Sequence, residues 1–399
     1  MLANIPMKNQ GGTCFSRPLI ALGVLVCGFV LLPGTGSRSS ASQPLDAENG
    51  NPYRVLAPLQ SGDLAIFPVV QANGEAKAQH WQYITLDEGL RTGQVVVAEA
   101  GQVVGLVRSR HPVLAAPPAT GDEVNRLVLV NNSSRPLLLL AGEIVAGGKQ
   151  DRVIGKDRIV PPESDPIDFS VFCIEPGRWT GESPEFHAAG KVGESFMVQP
   201  EVRSKAMAAQ NQQQVWNAVG SVIQEMAAAG GAMSSPTPAP TTSYARAMES
   251  TAVENDVNKT AAPLLQSGEA LRAQLSKEHA VGVVVAIRGE IIWADVFSDT
   301  DMLEKYWTKL IRSYAAEALT GRESRNGSPT TEDAERFLAI ANTGHVSSEG
   351  DTGIYRYSTI RAGDVESFVL RALLPDTSFD VHISKIRTEQ TADRLRPVR

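Results

Sequence analysis

From Tyr53 onward, short apolar runs alternate with small polar clusters at intervals of roughly ten residues. Tyr53–Leu59 and Leu64–Val70 flank Gln60-Ser61-Gly62-Asp63. Val95–Ala98 and Val103–Val107 flank Gly101, and Arg126–Val130 and Pro136–Leu140 flank Asn131-Asn132-Ser133-Ser134. Glycine, asparagine and serine tolerate tight reversals, so each pair predicts an antiparallel hairpin. Arg152–Ile154, Arg158–Val160 and Ile167–Ile174 continue the series. In the last of these, Ile167, Phe169, Val171 and Cys173 fall on one face, with Asp168 and Ser170 on the other.

Past Glu201 the period changes. Val202–Ala229 contains no proline and spaces Val215, Val219, Val222, Ile223 and Met226 as one stripe of a long helix, ended by Gly230-Gly231. Ser234–Thr242, SSPTPAPTT, has no means of packing and reads as a flexible linker. A second helical stretch runs to about Lys277. Val281–Ile287 and Glu290–Phe297 then form a hairpin around Arg288-Gly289. Thr300–Leu319 is a helix capped by Asp299 or Thr300, and Thr330–Asn342 another, capped by a Ser or Thr ahead of Glu332 and Asp333. Three apolar runs close the chain, Gly353–Ile360, Val365–Leu373 and Ser378–Ile386, the first two joined by a turn at Arg361-Ala362-Gly363-Asp364. No repeat of fixed period is present.

These elements predict an α+β fold. A β-rich N-terminal half with antiparallel hairpins shares its core with the helices and further strands of the C-terminal half. The expected organisation is a signal peptide at 1–41, a polar lead-in at 42–52, one domain at 53–387 and a tail at 388–399. Within the domain lie a β-rich part (53–180), a helical part (195–229), the linker (230–243), an α/β part (244–320) and a terminal helix with strands (330–387).

The N-terminus reads as an export signal. Lys8 and Arg17 precede a 14-residue apolar run, Leu19–Leu32, which Pro33-Gly34 break before the small residues Ser39-Ser40-Ala41. As a helix this run spans about 21 Å, short of a hydrocarbon core of about 30 Å. Cleavage is therefore expected in preference to a retained anchor, with the mature chain beginning near Ser42 outside the cytoplasm. The removed segment carries Lys8, Arg17 and Arg38 and no acid, so the net charge of −7 falls by three to −10. So acidic a chain argues against general nucleic-acid binding, which needs a basic face. Of the 3 cysteines, Cys14 and Cys27 lie in the N-terminal segment. Cys173 alone remains in the body, as a core residue without an internal disulfide partner.

Familiar catalytic patterns are missing: there is no Gly-Lys-Ser/Thr phosphate loop, no Gly-x-Ser-x-Gly elbow and no His-Glu-x-x-His. The histidines are scattered, no cysteine cluster exists, and the sequence designates no metal site and no cofactor. The densest polar chemistry lies between Leu137 and Trp179. Glu143, Lys149, Gln150, Asp151 and Arg152 are followed some thirty residues later by Glu175, Arg178 and Trp179 around Gly177. Lys149 and Arg152 are candidate donors to a carboxylate or phosphate, Arg because its planar fork binds bidentately. Glu143 and Glu175 are candidates to orient those cations or to act as acid and base. Trp179 offers a flat stacking face. The plainer alternative is that Glu143–Lys149 or Glu175–Arg178 are structural ion pairs.

Gly142-Glu143, Gly148-Lys149-Gln150-Asp151-Arg152 and Cys173-Ile174-Glu175-Pro176-Gly177-Arg178-Trp179 resemble a bacterial family of unknown function, the ARG and rhodanese-phosphatase-superfamily-associated domain. Its pattern is similar to Gly-Glu-Glu-x-x-Gly-Ala-Lys-Gln-Asn-Arg followed by Cys-Val-Glu-x-Gly-Arg-Trp. Tyr83–Leu90 and Val281–Phe297 with the helix through Leu319 agree as well. This chain departs in Ile144 for a second acid, Gly148 for alanine and Asp151 for asparagine. The resemblance implies little about activity. The expectation is an exported protein holding an anionic small molecule at Glu143, Lys149, Gln150, Arg152, Arg178 and Trp179, with no stable membrane span after processing. A hydrolase-like enzyme using Glu143 or Glu175 as base and a structural envelope protein are the alternatives.

Overall fold

Two valine- and isoleucine-rich strands, Ala280–Ile287 and Glu290–Phe297, form the centre of the molecule, almost every residue buried on both faces. The structure, a computed structural model, describes residues 52–72, 82–99, 126–178, 185–191, 195–231, 241–266, 268–320, 327–340, 344–374 and 379–388. The predicted signal, the predicted strand Val103–Val107, most of the linker, Trp179 and the tail lie outside the described residues. The central strands are joined as predicted by a two-residue reversal with positive φ at Arg288 and Gly289. Arg288 is held there by bonds from its backbone N–H to the Asp63 carbonyl (2.8 Å) and from Nη2 to the Ala318 carbonyl (2.6 Å).

This hairpin sits in a nine-stranded antiparallel sheet ordered 53–55, 64–71, 280–287, 290–297, 380–387, 365–372, 355–362, 345–349, with 59–61 folded onto 64–71. Leu64–Gln71 pairs along its whole length with Ala280–Ile287, which welds the two halves of the chain. Helix Thr300–Thr320 packs against the central strands, and helix Thr331–Ala339 packs against Tyr53–Val55 and Glu290–Phe297. One apolar cluster runs from Leu64, Leu138 and Ile144 through Val215, Val219 and Val222 to Trp293, Tyr306 and Phe368, so the α+β halves share a core as expected.

Two smaller sheets carry the segment richest in polar motifs. Residues 158–160, 137–139 and 84–85 make one. Residues 186–188, 144–147, 152–154, 167–173, 126–131 and 95–99 make the other. Their own core includes Val97, Leu129, Leu139, Val145, Phe169 and Val171. Cys173 is buried and forms no disulfide among the described residues.

Helix Leu86–Thr92 and strand Phe186–Ala188 were not expected, and the helical stretch to Lys277 is three helices, Tyr244–Met248, Thr251–Gln266 and Gly268–Lys277. Three further departures have a visible cause. Arg126–Asn131 and Leu137–Leu139 do not pair as a hairpin; they enter different sheets. The Asn131 side chain causes this. Its amide donates to the carbonyls of Arg135 (2.9 Å) and Pro161 (3.0 Å), and its oxygen accepts from Ser133 N and Oγ, coiling the loop instead of reversing it. The predicted helix Val202–Ala229 is broken. A short helix, Pro200–Ser204, and a π-helical turn, Lys205–Ala209, stop at Gln210 (φ 48°), and a new helix, Gln212–Gly231, begins with Asn211 Oδ1 accepting from Gln214 N. His345–Glu349 is an additional edge strand, exposed at every residue and therefore without an apolar alternation to betray it.

Candidate functional site

Gly142 and Glu143 form the turn before Ile144–Gly147. Gly142 has φ of 95°, and a Cβ there would come within 2.8 Å of both Arg203 Cδ and Met197 Cε, so glycine is required twice over. Glu143 turns inward and is almost fully buried. Its carboxylate accepts from Leu140 N (2.8 Å) and from Lys309 Nζ (2.5 Å), and Lys309 also pairs with Asp87 at 2.8 Å. Burial pushes the Glu143 carboxyl up against the pull of Lys309. Burial would depress the Lys309 ammonium, yet Asp87 and Glu143 outweigh it and hold it above its ordinary value. This is a buried ion cluster bonding the Ile144–Gly147 sheet to helix Thr300–Thr320. Its bonds run to Leu140, Lys309 and Asp87, on the side of the sheet that faces the helix.

Lys149, Gln150, Arg152, Glu175 and Arg178 do come together, around the loop from Gly147 to Asp151. Gly147 and Gly148 both have positive φ, and Asp151 Oδ1 accepts from Gly147 N at 3.0 Å, closing the loop on itself. Arg178 clamps it. Its Nε donates to Glu175 Oε2 (2.5 Å), its Nη1 to the Gly148 carbonyl (3.0 Å), and its Nη2 lies 3.3 Å from Asp151 Oδ1. Arg152, fully buried, bonds the carbonyls of Gln150 and Asp151 and lies 3.9 Å from Glu99. Both guanidinium groups therefore approach the same loop. Ser243 Oγ, which also caps helix Tyr244–Met248, donates to Asp151 Oδ2 at 3.1 Å. Gln212 extends the pairing of the motif strand, its amide exchanging bonds with Cys173 N (2.9 Å) and Cys173 O (2.8 Å).

Within this lattice two groups stand apart. Lys149 is exposed, and its ammonium makes no ion pair among the described residues. Gln150 is fully buried, yet neither its amide nitrogen nor its amide oxygen has a partner among the described residues. A buried primary amide left unbonded costs about 1–3 kcal/mol, so Gln150 is an anomaly in an otherwise satisfied cluster.

A second polar centre was not expected from the sequence. Asp157, His382, Asp295 and Arg203 form a continuous chain sealed from solvent. His382 Nδ1 lies 2.6 Å from Asp157 Oδ2, and its Nε2 lies 3.2 Å from Asp295 Oδ1, off the line of a good hydrogen bond. Asp295 accepts from Arg203 Nη1 and Nη2, from Trp293 Nε1 (2.9 Å), from Ser384 Oγ (2.6 Å) and from the Tyr314 hydroxyl. Burial raises the Asp295 carboxyl, but Arg203 and His382 overcome this and hold it far below the usual carboxylate range. Burial likewise opposes charge on His382, and Asp157 and Asp295 reverse that, carrying it up to about 9. Asp295 interrupts the run Ile291–Phe297, and a charge inside a predicted buried strand demands a partner; that was the available signal.

Among the described residues, no helix is long and apolar enough to cross a membrane, and no group of three His, Cys, Asp or Glu side chains could hold a metal ion. The whole defines an α+β protein in which the turn at Gly142 and the loop at Gly147–Asp151 are tied down by buried ion clusters. The chain belongs to the ARG and Rhodanese-Phosphatase-superfamily-associated Protein domain family, whose model matches residues 52–385. No curated protein and no solved structure matches it.

Proposed function

We propose that the chain is an exported protein that binds a small anionic molecule at the loop Gly147–Asp151. The observation that carries this reading is the buried Gln150 amide, without a partner among the described residues, next to the exposed ammonium of Lys149, which makes no ion pair among them. Arg152 and Arg178 are neutralised by their own neighbours, Glu99, Asp151 and Glu175, so their part is to fix the shape of the loop. Lys149 supplies the attracting charge and Gln150 Nε2 the directional donor. Trp179, which follows Arg178 directly, supplies a stacking face. Because Gln150 is sealed from solvent, entry of a ligand group requires the surrounding chain to open. The hydrolase reading has less support: Glu143 and Glu175 are buried, and each is already bonded to a cation of the chain, Lys309 and Arg178, so neither is presented to a substrate.

Two measurements test the proposal. Calorimetric titration with inorganic phosphate and with acetate should give saturable binding that Lys149→Ala weakens about tenfold and Gln150→Leu abolishes. Unchanged binding in both variants would move the site elsewhere. N-terminal sequencing of the chain from its native host should begin near Ser42; an intact Met1 in a soluble cytosolic fraction would refute export.

A further inference from the structure

A cavity of about 150 Å³ opens between the small sheets and the far end of the large one. It lies beside residues that the sequence did not single out: Lys156, Asp157, Arg158, Glu349, Tyr355 and Tyr357. Leu139, Ile154 and Phe169 give it an apolar wall. None of the side chains around the Gly147–Asp151 loop lines it.

Its polar lining is unequal in one respect. Both carboxylates there already have partners. Asp157 accepts from Ala141 N at 2.8 Å and faces His382 at 2.6 Å. Glu349 holds Lys156 at 2.5 Å, at the half-exposed rim. The donors are less well served. The Tyr357 hydroxyl is buried and has no partner among the described residues, on a side chain only 3% exposed. Arg158 places Nη1 on the Asp168 carbonyl (2.6 Å) and Nη2 on Asp351 (2.8 Å), but its buried Nε also lacks a partner among the described residues. The same guanidinium stands 5.8 Å from the Tyr355 ring centroid, which fixes its plane.

We propose that this cavity binds a short-chain monocarboxylate, whose oxygens accept from Tyr357 Oη and Arg158 Nε while its alkyl group lies against Leu139, Ile154 and Phe169. Two unused donors, one of them cationic, call for an acceptor, and a carboxylate answers a guanidinium N–H better than a neutral oxygen does. Asp157 and Glu349 do not repel it, because His382 and Lys156 offset their charges. A cavity of this volume holds about six non-hydrogen atoms, the size of benzene, which matches isobutyrate.

The test uses the full chain with ring-labelled tyrosine, the Tyr355 and Tyr357 resonances being assigned by their Tyr→Phe variants. Titrated isobutyrate should shift both resonances saturably. Isobutyramide and isobutanol should need about tenfold higher concentration. In Tyr357→Phe, read through Tyr355, isobutyrate affinity should fall about tenfold. Removing an unpartnered hydroxyl leaves the fold intact, so this variant decides the matter even if Arg158→Met fails to fold. The proposal is overturned by a flat response, which would mean that the cavity holds only water. Equal response to the three compounds, or undiminished affinity in Tyr357→Phe, overturns it as well.

Discussion

Arg203 and Asp295 face each other across the core, with guanidinium nitrogens 2.7 and 3.0 Å from the two carboxylate oxygens, and neither side chain reaches solvent. Arg203 also stands over the Trp293 ring at 4.7 Å. The pair joins the short helix Pro200–Ser204 to strand Glu290–Phe297, and Ser384 brings in a third element. Removing one partner strands a buried charge. We expect Arg203→Met or Asp295→Leu alone to cost about 3–5 kcal/mol, and the double variant to recover much of that loss. Urea midpoints of the three variants check it.

Gly142→Ala should be costly for a linked reason. The new methyl strains a left-handed backbone and meets the Arg203 stem. A loss of about 2 kcal/mol or more is expected. Gly62→Ala, also at positive φ but with open space around it, should lose only about 1 kcal/mol. Equal losses at the two sites would mean that backbone strain alone, and not the Arg203 contact, sets the cost.

His382 predicts a pH dependence. Its folded pKa, about 9, is above the unfolded value, so its contribution is full below the unfolded pKa and is lost as pH rises through about 9. Lys385 acts oppositely. Burial lowers it to about 8, so it favours the fold only as pH climbs above that. Between pH ~6.5 and ~8 the histidine acts alone, and stability should fall by about 2 kcal/mol. It should then level off between ~8 and ~9, where the two slopes cancel. Denaturant titrations across the range check this, and His382→Gln should remove the descending limb.

Gln150→Leu should stabilise the protein by about 1–2 kcal/mol, since it removes two unmet polar atoms from a buried site without changing the volume much. The same change should abolish phosphate binding. Stability gained together with binding lost is the signature of a residue kept for function. A destabilised variant would instead mean that the amide is bonded in solution.

Much of this architecture was legible because local pattern and tertiary role agreed. The hairpin at Arg288-Gly289 has buried valine runs on both sides of a reversal that its sequence favours. Asp299 and Thr330 cap the helices that they precede. The break at Gln210 was hidden because the flanking residues are good helix formers, and a tertiary bond from its side chain to the Gly155 carbonyl accompanies the left-handed turn. At the candidate site, glycines and alternating charges drew attention to 149–152 and 175–178, and these do meet. Glu143 faces Lys309 instead, 166 residues away, a distance that no local pattern encodes. His382 was hidden for the same reason: it is one of several polar residues along Ser378–Ile386, and its partner Asp157 is 225 residues earlier.

The weld between Leu64–Gln71 and Ala280–Ile287 bears on how the chain reaches its native state. Ile66 meets Val285 only after some 220 residues of intervening chain are available. A nascent N-terminal half offers its longest strand only the short pairings with 53–55 and 59–61 and no full-length neighbour, so folding waits for late synthesis and proceeds slowly through long-range pairing. That delay keeps the polypeptide threadable, which suits a chain proposed to cross a membrane before it folds.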